Sequence, residues 1–229
     1  TSHLLHGKVF RPACGGGAAL SPGGAAPQLA RRMASGDRAE NRFLQVMAMT
    51  MGFITASAKR GGRVRRFGVD EAGRGPLAGP VVAAAVLLCR KPPAGLDDSK
   101  KLTAARRAAL ELQIKDSCHW AVGVVEVEEI DRINIFQATM RAMTRAVACL
   151  CASLGEDPDE VLIDGNMTPA GRCDEWRWQG RAIVGGDALE PCISAASIIA
   201  KEHRDRLMRE YALAHPHYGW ERNAGYGTP

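Results

Sequence analysis

The stretch RFGVDEAGRGPLAGPVVAAAVLL, residues 66–88, contains two strand signals separated by a glycine-rich turn. The first signal, residues 66–69, is short and runs directly into Asp70 and Glu71. The second, residues 81–88, is an unbroken apolar run that starts after a proline, which favours a buried strand. The stretch therefore predicts two strands with a pair of carboxylates at the end of the first one.

The rest of the chain from residue 89 continues with helices and strands. Further strands are predicted over residues 120–127, 161–163 and 182–184. The predicted helices have their boundaries at Thr103 and Ser117, at Asn134 and Gly155, and at Ser194 and His215. Three early strands followed by alternating helix and strand predict an α/β domain with a mixed sheet covered by helices.

Acidic residues follow several of these strands directly. Asp70 and Glu71 end the first strand, Asp164 follows the fourth, and Asp187 comes just after the fifth. The rim of an open α/β sheet is where ligands bind, and four carboxylates meeting there would repel each other unless a cation lay between them. Oxygen-only ligands favour Mg²⁺ or Mn²⁺, and two such ions about 4 Å apart are common machinery for phosphodiester displacement.

Two alternatives stay open from these residues alone. Acids that follow strands are often solvated loop residues, and sequence does not show that the strand ends converge. Neighbours on a regular strand also point to opposite faces, so Asp70 and Glu71 can face one metal pair only if the strand breaks its pleat there. The turn Gly73-Arg74-Gly75 is either a plain tight turn or a surface that a sugar-phosphate can approach closely.

The charge is divided unevenly along the chain. Residues 1–66 carry 11 Lys and Arg against 2 Asp and Glu, a net charge of +9, whereas residues 67–229 carry 19 against 23, a net charge of −4. The first segment is also rich in glycine and lacks periodicity, so residues 1–66 are predicted to be a disordered or non-native extension. The overall net charge of +5 is therefore no argument that the main domain binds nucleic acid.

The sequence also excludes a membrane protein and a secreted protein. The longest apolar run, residues 81–89, is far shorter than the roughly 18 residues of a membrane span. The seven cysteines have no zinc-finger spacing and are expected to be reduced thiols. These features predict a cytoplasmic protein.

Residues 68–81 closely resemble the opening motif of bacterial ribonuclease HII. Later segments agree with the same family in the same order, and the resemblance covers residues 67–229. These segments are residues 96–102, 162–166, 186–187, 193–201 and 223–228. The resemblance implies an RNase H-like fold with a mixed five-stranded sheet flanked by helices.

The resemblance also implies roles for particular residues. Asp70, Glu71, Asp164 and Asp187 match the four catalytic, metal-binding carboxylates of the family, which implies a two-metal site for Mn²⁺ or Mg²⁺. The turn Gly73-Arg74-Gly75 matches the loop that recognises the 2′-hydroxyl of the ribonucleotide. Two further positions are expected to bind substrate, with Lys100 as a phosphate contact and Tyr226 at the RNA–DNA junction.

The activity implied by the resemblance is endonucleolytic. The enzyme would cleave the RNA strand of RNA–DNA hybrids and cut 5′ of ribonucleotides embedded in duplex DNA, leaving 3′-hydroxyl and 5′-phosphate ends. Such an enzyme is expected to act as a monomer and to take part in DNA repair. No membrane is expected among its partners.

One departure from the family leaves a second function open. Family members continue beyond the tyrosine motif, so residues 67–229 are predicted to be a C-terminally truncated catalytic domain with Tyr226 on a fraying end. The alternative is then a non-cleaving nucleic-acid-binding module of the same fold. A relative with other chemistry, such as a resolvase or an integrase, is disfavoured by the Gly73-Arg74-Gly75 turn beside the acids.

Overall fold

The computed structural model describes residues 64–227. Residues 1–66 are predicted to be a disordered or non-native extension, and residues 1–63 of this segment lie outside the described residues. Within residues 64–227 the chain forms five strands. They are β1 Arg66–Ala72, β2 Val81–Leu87, β3 His119–Val125, β4 Glu160–Asp164 and β5 Gly180–Ile183. The α-helices of this part are α1 Ala104–Ser117, α2 Val127–Leu154, α3 Gly186–Leu189, α4 Pro191–Ala214 and α5 Trp220–Asn223, with a 3₁₀ turn at Pro216–Tyr218.

The strands form one mixed sheet in the order β3-β2-β1-β4-β5. The first three strands are antiparallel neighbours, because β2 pairs with both β1 and β3 in that sense. β4 pairs in parallel with β1 and with β5. The sequence prediction of a mixed five-stranded sheet flanked by helices is therefore confirmed.

Both faces of the sheet are covered, which explains the unbroken apolar run of β2. On one face, Val81, Ala83 and Ala85 pack in a cluster with residues of α2. On the other face, Val82, Ala84 and Val86 pack with residues of α1 and α4. Residues 81–86 are completely buried, as expected for a strand between two helical layers.

The local signals for helix ends were correct in three places. Thr103 caps α1 by accepting a hydrogen bond from the amide of Arg106. Gly155 ends α2 in the left-handed conformation. Asn134 has a positive φ of 67° inside α2, and its side chain accepts a hydrogen bond from the amide of Gln137. Asn134 therefore caps a helix as predicted, although a further helical segment, 127–133, comes before it.

Other boundaries differ from the prediction. β3 ends at Val125 and not at residue 127, because α2 begins at Val127. β5 spans Gly180–Ile183 instead of residues 182–184. The last long helix begins at Pro191 and not at Ser194, since a proline is well suited to a first helical turn. The Ser194 hydroxyl donates a hydrogen bond to the carbonyl of Asp187 and so ties the helix to the preceding turn.

The expected break of the pleat at Asp70 and Glu71 is also not found. β1 continues to Ala72 because β2 remains paired with it, with Asp70 opposite Ala84 and Glu71 opposite Ala83. Of the helices within residues 64–227, none combines the length and the apolar character that a membrane crossing requires.

Gly68→Ala should destabilise the fold. Gly68 lies on the face of β1 that α4 covers, and an added Cβ would overlap the main chain of Cys192 and Ile193. Because main-chain atoms cannot move aside cheaply, we expect the free energy of unfolding to fall by about 3 kcal/mol, measured by urea denaturation.

The matched control for this variant is Gly75→Ala. A Cβ at Gly75 would meet only the ring of Tyr226, at 3.8 Å, so its stability should stay within about 0.5 kcal/mol of the wild type. Equal urea midpoints for Gly68→Ala and the wild type would contradict the close packing of α4 on β1.

Candidate active site

Three carboxylates from distant parts of the sequence converge at one edge of the sheet. One oxygen from each of Asp70, Asp164 and Asp187 lies within 4.8 Å of the others. Asp70 is only 7% exposed and Asp187 only 6%, while Asp164 is half-buried. We call these three residues the carboxylate cluster.

Strand register places the first two members side by side. Val69 on β1 is opposite Ile163 on the parallel strand β4, so Asp70 and Asp164 follow at equivalent positions. Val69 and Ile163 both pack on the α2 side of the sheet. Because side chains alternate along a strand, Asp70 and Asp164 both point to the α4 side.

Asp187 reaches the cluster from a short helix instead of a strand. It lies in the first turn of α3, just after β5, and its amide donates a hydrogen bond to Oδ1 of Asp164 at 3.3 Å. Ser194 on α4 donates to the carbonyl of Asp187 at 2.7 Å. The turn that carries Asp187 is therefore held from two sides.

Asp70 is held by a hydrogen bond that suits a charged carboxylate. The amide of Glu71 donates to its Oδ1 at 2.7 Å, and the Ser197 hydroxyl on α4 lies near the side chain and favours its charged form. Ser197 also shares a 2.8 Å hydrogen bond with the buried hydroxyl of Ser99. Sequence reasoning did not single out these two serines, although both lie in segments that resemble the family.

The electrostatics of the cluster call for a cation. Burial raises the pKa of Asp70 well above its usual range, and the charges of Glu71 and Asp164 add to this effect. Burial, followed by the charges of Asp164 and Asp98, likewise raises the pKa of Asp187. Acceptor-only oxygens that repel one another at this distance fit a divalent cation with a preference for oxygen ligands.

Glu71 stands beside the cluster and is not a member of it. Since β1 keeps its pleat, Glu71 starts from the opposite face to Asp70, and its Oε1 lies 3.7 Å from the Arg74 guanidinium. Burial raises the pKa of Glu71, Arg74 opposes this shift, and the charge of Asp164 adds to it. The carboxylate is thus close enough to Asp164 to interact, but the structure does not place all four predicted acids in one group.

Lys100 lies at the rim of the cluster. Its Nζ is 3.9 Å from Oδ2 of Asp187, and the side chain is 82% exposed. Partial burial lowers the pKa of Lys100, but the nearby carboxylates, with Asp98 and Asp187 foremost, outweigh this effect and raise it. The exposed ammonium group of Lys100 is therefore available beside the acids.

The glycine turn and the tyrosine motif lie against each other. A Cβ on Gly75 would be 3.8 Å from the ring of Tyr226, and the amide of Leu77 donates to the carbonyl of Gly225 at 2.9 Å. The amide of Tyr226 in turn donates to the carbonyl of Asn223. The predicted fraying at Tyr226 is therefore opposed by two main-chain hydrogen bonds, one accepted by Gly225 and one donated by Tyr226 itself.

Asp70→Asn should stabilise the metal-free protein at neutral pH. The pKa of Asp70 is higher in the folded state than in the unfolded chain, where it is near 3.9, so the folded state binds the proton more tightly. This contribution to stability is present at low pH and is lost as the pH rises from about 4 through the raised pKa. Asparagine removes the charge, so we expect the Tm of the variant in EDTA at pH 7 to be roughly 3 °C higher than that of the wild type. As the pH rises, the Tm of the variant should also fall less than that of the wild type.

The control is Asp131→Asn, which changes an exposed acid on α2 and should leave Tm unaltered. A lower Tm for Asp70→Asn than for the wild type in EDTA would contradict the destabilisation that we assign to the burial of the charged Asp70 and to repulsion within the cluster.

Comparison with known proteins identifies relatives of this chain. A sequence model of the family described as Ribonuclease HII matches residues 67–229. A ribonuclease HII of Novosphingobium aromaticivorans is 77% identical over 164 residues, which cover 71% of this chain and 84% of that protein. A ribonuclease HII of Erythrobacter litoralis is 68% identical over 162 residues, covering 71% and 76%.

Solved structures share the fold. The ribonuclease H2 of Pyrococcus horikoshii has a TM-score of 0.56 at 27% identity, covering 72% of this chain and 82% of that one. The RNase HII in a PCNA complex from Archaeoglobus fulgidus has a TM-score of 0.56 at 26% identity, covering 72% and 83%. Bst RNase HIII, solved in complex with Mn²⁺, has a TM-score of 0.59 at 22% identity, covering 78% and 67%. The chain has an RNase H-like fold, belongs to the ribonuclease HII family and is a ribonuclease H, a hydrolase of phosphodiester bonds.

Proposed function

We propose that this chain cuts the RNA strand of RNA–DNA hybrids and the 5′ side of single ribonucleotides embedded in duplex DNA. The products would carry 3′-hydroxyl and 5′-phosphate ends. The observation that carries the proposal is the carboxylate cluster at the end of β1, which runs directly into the glycine turn against which Tyr226 lies. A site for phosphodiester hydrolysis and a surface for ribose recognition would thus lie at the same edge of the sheet.

The residues that would hold Mn²⁺ or Mg²⁺ are Asp70, Asp164 and Asp187, with Glu71 reaching in from the neighbouring position. Their donor atoms are all carboxylate oxygens, the type that these ions prefer. Bound divalent ions supply a lowered pKa for the attacking water and charge stabilisation for the leaving 3′-oxygen. The Mn²⁺ complex of Bst RNase HIII, which shares the fold, is in keeping with this choice of ions.

The chain itself would contribute a preorganised set of ligands. The Glu71 amide fixes the orientation of the Asp70 carboxylate, and the Asp187 amide fixes that of Asp164. Groups that are already oriented in the folded protein do not have to reorganise during the reaction. Lys100 would place its ammonium on a substrate phosphate next to these acids.

Recognition of the ribonucleotide would come from the glycine turn. Gly73 has a φ of +103°, which a residue with a side chain rarely adopts, and this conformation gives the turn the shape that presents the next two residues. Arg74 and Gly75 are exposed on the same turn. The 2′-hydroxyl is the group that distinguishes RNA from DNA, and main-chain atoms of this turn would contact it.

Tyr226 would select the RNA–DNA junction. Its ring is 52% exposed and lies beside Gly75, so one face is free to pack against a sugar next to the ribonucleotide. All of these groups come from one chain, so we also propose that the protein acts as a monomer. Its cytoplasmic location and its part in DNA repair stay predictions.

The non-cleaving alternative makes a different use of the same surface. A binding module would need the basic and aromatic groups but not three clustered carboxylates whose burial and mutual repulsion destabilise the fold. We therefore favour the enzyme over the binding module.

The cleavage assay should use a DNA duplex with one ribonucleotide. With Mn²⁺ or Mg²⁺ we expect a single cut on the 5′ side of the ribonucleotide, and EDTA should abolish it because the carboxylates would lack their ions. An all-DNA duplex of the same sequence should remain intact, since it lacks the 2′-hydroxyl. Equal cleavage of the all-DNA duplex would contradict the role proposed for the glycine turn.

Asp70→Asn should separate cleavage from binding. Loss of one carboxylate ligand is expected to slow cleavage more than about a thousandfold, while the affinity for the duplex changes less than about threefold. Gel electrophoresis of products and fluorescence anisotropy of a labelled duplex measure the two effects. Asp131→Asn is the control that should cut normally, and turnover retained by Asp70→Asn would refute the mechanism.

A further inference from the structure

Arg204 on α4 is a buried cation whose hydrogen bonds go to main-chain carbonyls. Its side chain is 1% exposed. Nε donates to the carbonyl of Pro80 at 3.0 Å, Nη2 to that of Ala78 at 2.8 Å and Nη1 to that of Ala224 at 2.8 Å. A guanidinium presents its donors in a fixed planar fork, so these three carbonyls are held at fixed relative positions.

The three carbonyls belong to two segments that are far apart in the sequence. Ala78 and Pro80 end the loop that begins with the Gly73-Arg74-Gly75 turn, and Ala224 lies two residues before Tyr226. The side chain of Arg204 thus bridges the two segments that we propose for ribonucleotide recognition.

Glycines on the loop make room for this guanidinium. A Cβ on Gly73 would overlap Nε of Arg204, whereas one on Gly79 would overlap Sδ of Met208 and lie 3.2 Å from Nη2 of Arg204. The same interface carries direct main-chain bonds, because the amides of Leu77 and Ala78 both donate to the carbonyl of Gly225. The loop therefore packs closely against Arg204 and Met208 of α4.

We propose that Arg204 is a positioning residue for ribonucleotide recognition, which it serves by fixing the distance between the glycine turn and Tyr226. This inference rests on the proposed function of those two elements. Arg204 itself would not touch the substrate, and none of its three hydrogen bonds goes to the carboxylate cluster. Its loss should therefore impair selection of the substrate and leave the metal site intact.

A lysine at this position cannot replace the arginine. Its ammonium is a single point with no planar fork, so it cannot hold carbonyls of both segments in the same arrangement. Misplacing recognition groups by an ångström can cost orders of magnitude in rate. For Arg204→Lys we expect the preference for a single-ribonucleotide duplex over a uniform RNA–DNA hybrid, measured as a ratio of kcat/KM values, to fall about tenfold.

The test is a double-mutant cycle between Arg204→Lys and Tyr226→Ala. If Arg204 acts by placing Tyr226, each single variant lowers the preference ratio and the double variant lowers it no further than Tyr226→Ala alone. The rise of Tm on addition of Mn²⁺ should be the same in Arg204→Lys as in the wild type. Arg206→Lys is the matched control, because Arg206 lies on the same helix and pairs with Glu111.

The outcomes separate this inference from the proposed function. A wild-type enzyme without a junction preference would overturn the role of Tyr226 and this inference with it. The inference on Arg204 would be overturned, and the proposed function left standing, by either of two results. In the first, Arg204→Lys keeps the preference ratio of the wild type. In the second, the losses of preference in the two single variants add up in the double variant. Should Arg204→Lys not fold, Arg204→Gln replaces it in the cycle, since it keeps a donor without a buried charge, and the same ratios decide.

Discussion

Mutual repulsion among three carboxylates is the constraint around which this end of the molecule is built. Asp70, Asp164 and Asp187 are held within 4.8 Å of one another, and two of them are almost completely buried. Such an arrangement destabilises a fold unless the rest of the structure fixes it and a cation offsets the charge. The parallel pairing of β1 and β4 between two apolar layers fixes the positions of Asp70 and Asp164. Their oxygens only accept hydrogen bonds, so a divalent ion is the partner that suits them.

Helix α4 connects the chemistry to the recognition surface. Ser194 donates a hydrogen bond to the carbonyl of Asp187, the Ser197 hydroxyl lies near Asp70, and Arg204 donates to carbonyls of the two segments that carry Gly75 and Tyr226. The spacings of three and seven residues place these side chains on one face of the helix. A single rigid element therefore sets the positions of the acids and of the proposed recognition groups, so that a displacement of α4 would disturb both together.

Local signals in the sequence carried much of the fold and part of the site. The cap at Thr103, the stop at Gly155 and the apolar run of β2 depend on neighbours in the chain, so they could be predicted. The continuation of β1 through Glu71 could not, because it depends on pairing with β2, and this pairing is what leaves Glu71 outside the cluster. The role of Arg204 was also hidden, since its partners lie 20 to 126 residues away. An arginine in an amphipathic helix is normally expected on the solvated face.

The carboxylate cluster should bind divalent cations. The most direct test is a titration of the metal-free wild-type protein with Mn²⁺, with the free ion followed by electron paramagnetic resonance and its location by broadening of amide signals in NMR. We expect saturable binding that Mg²⁺ competes away, with broadening centred on Asp70, Asp164 and Asp187. Mn²⁺ that stays free at millimolar protein concentration, or broadening centred elsewhere, would contradict it.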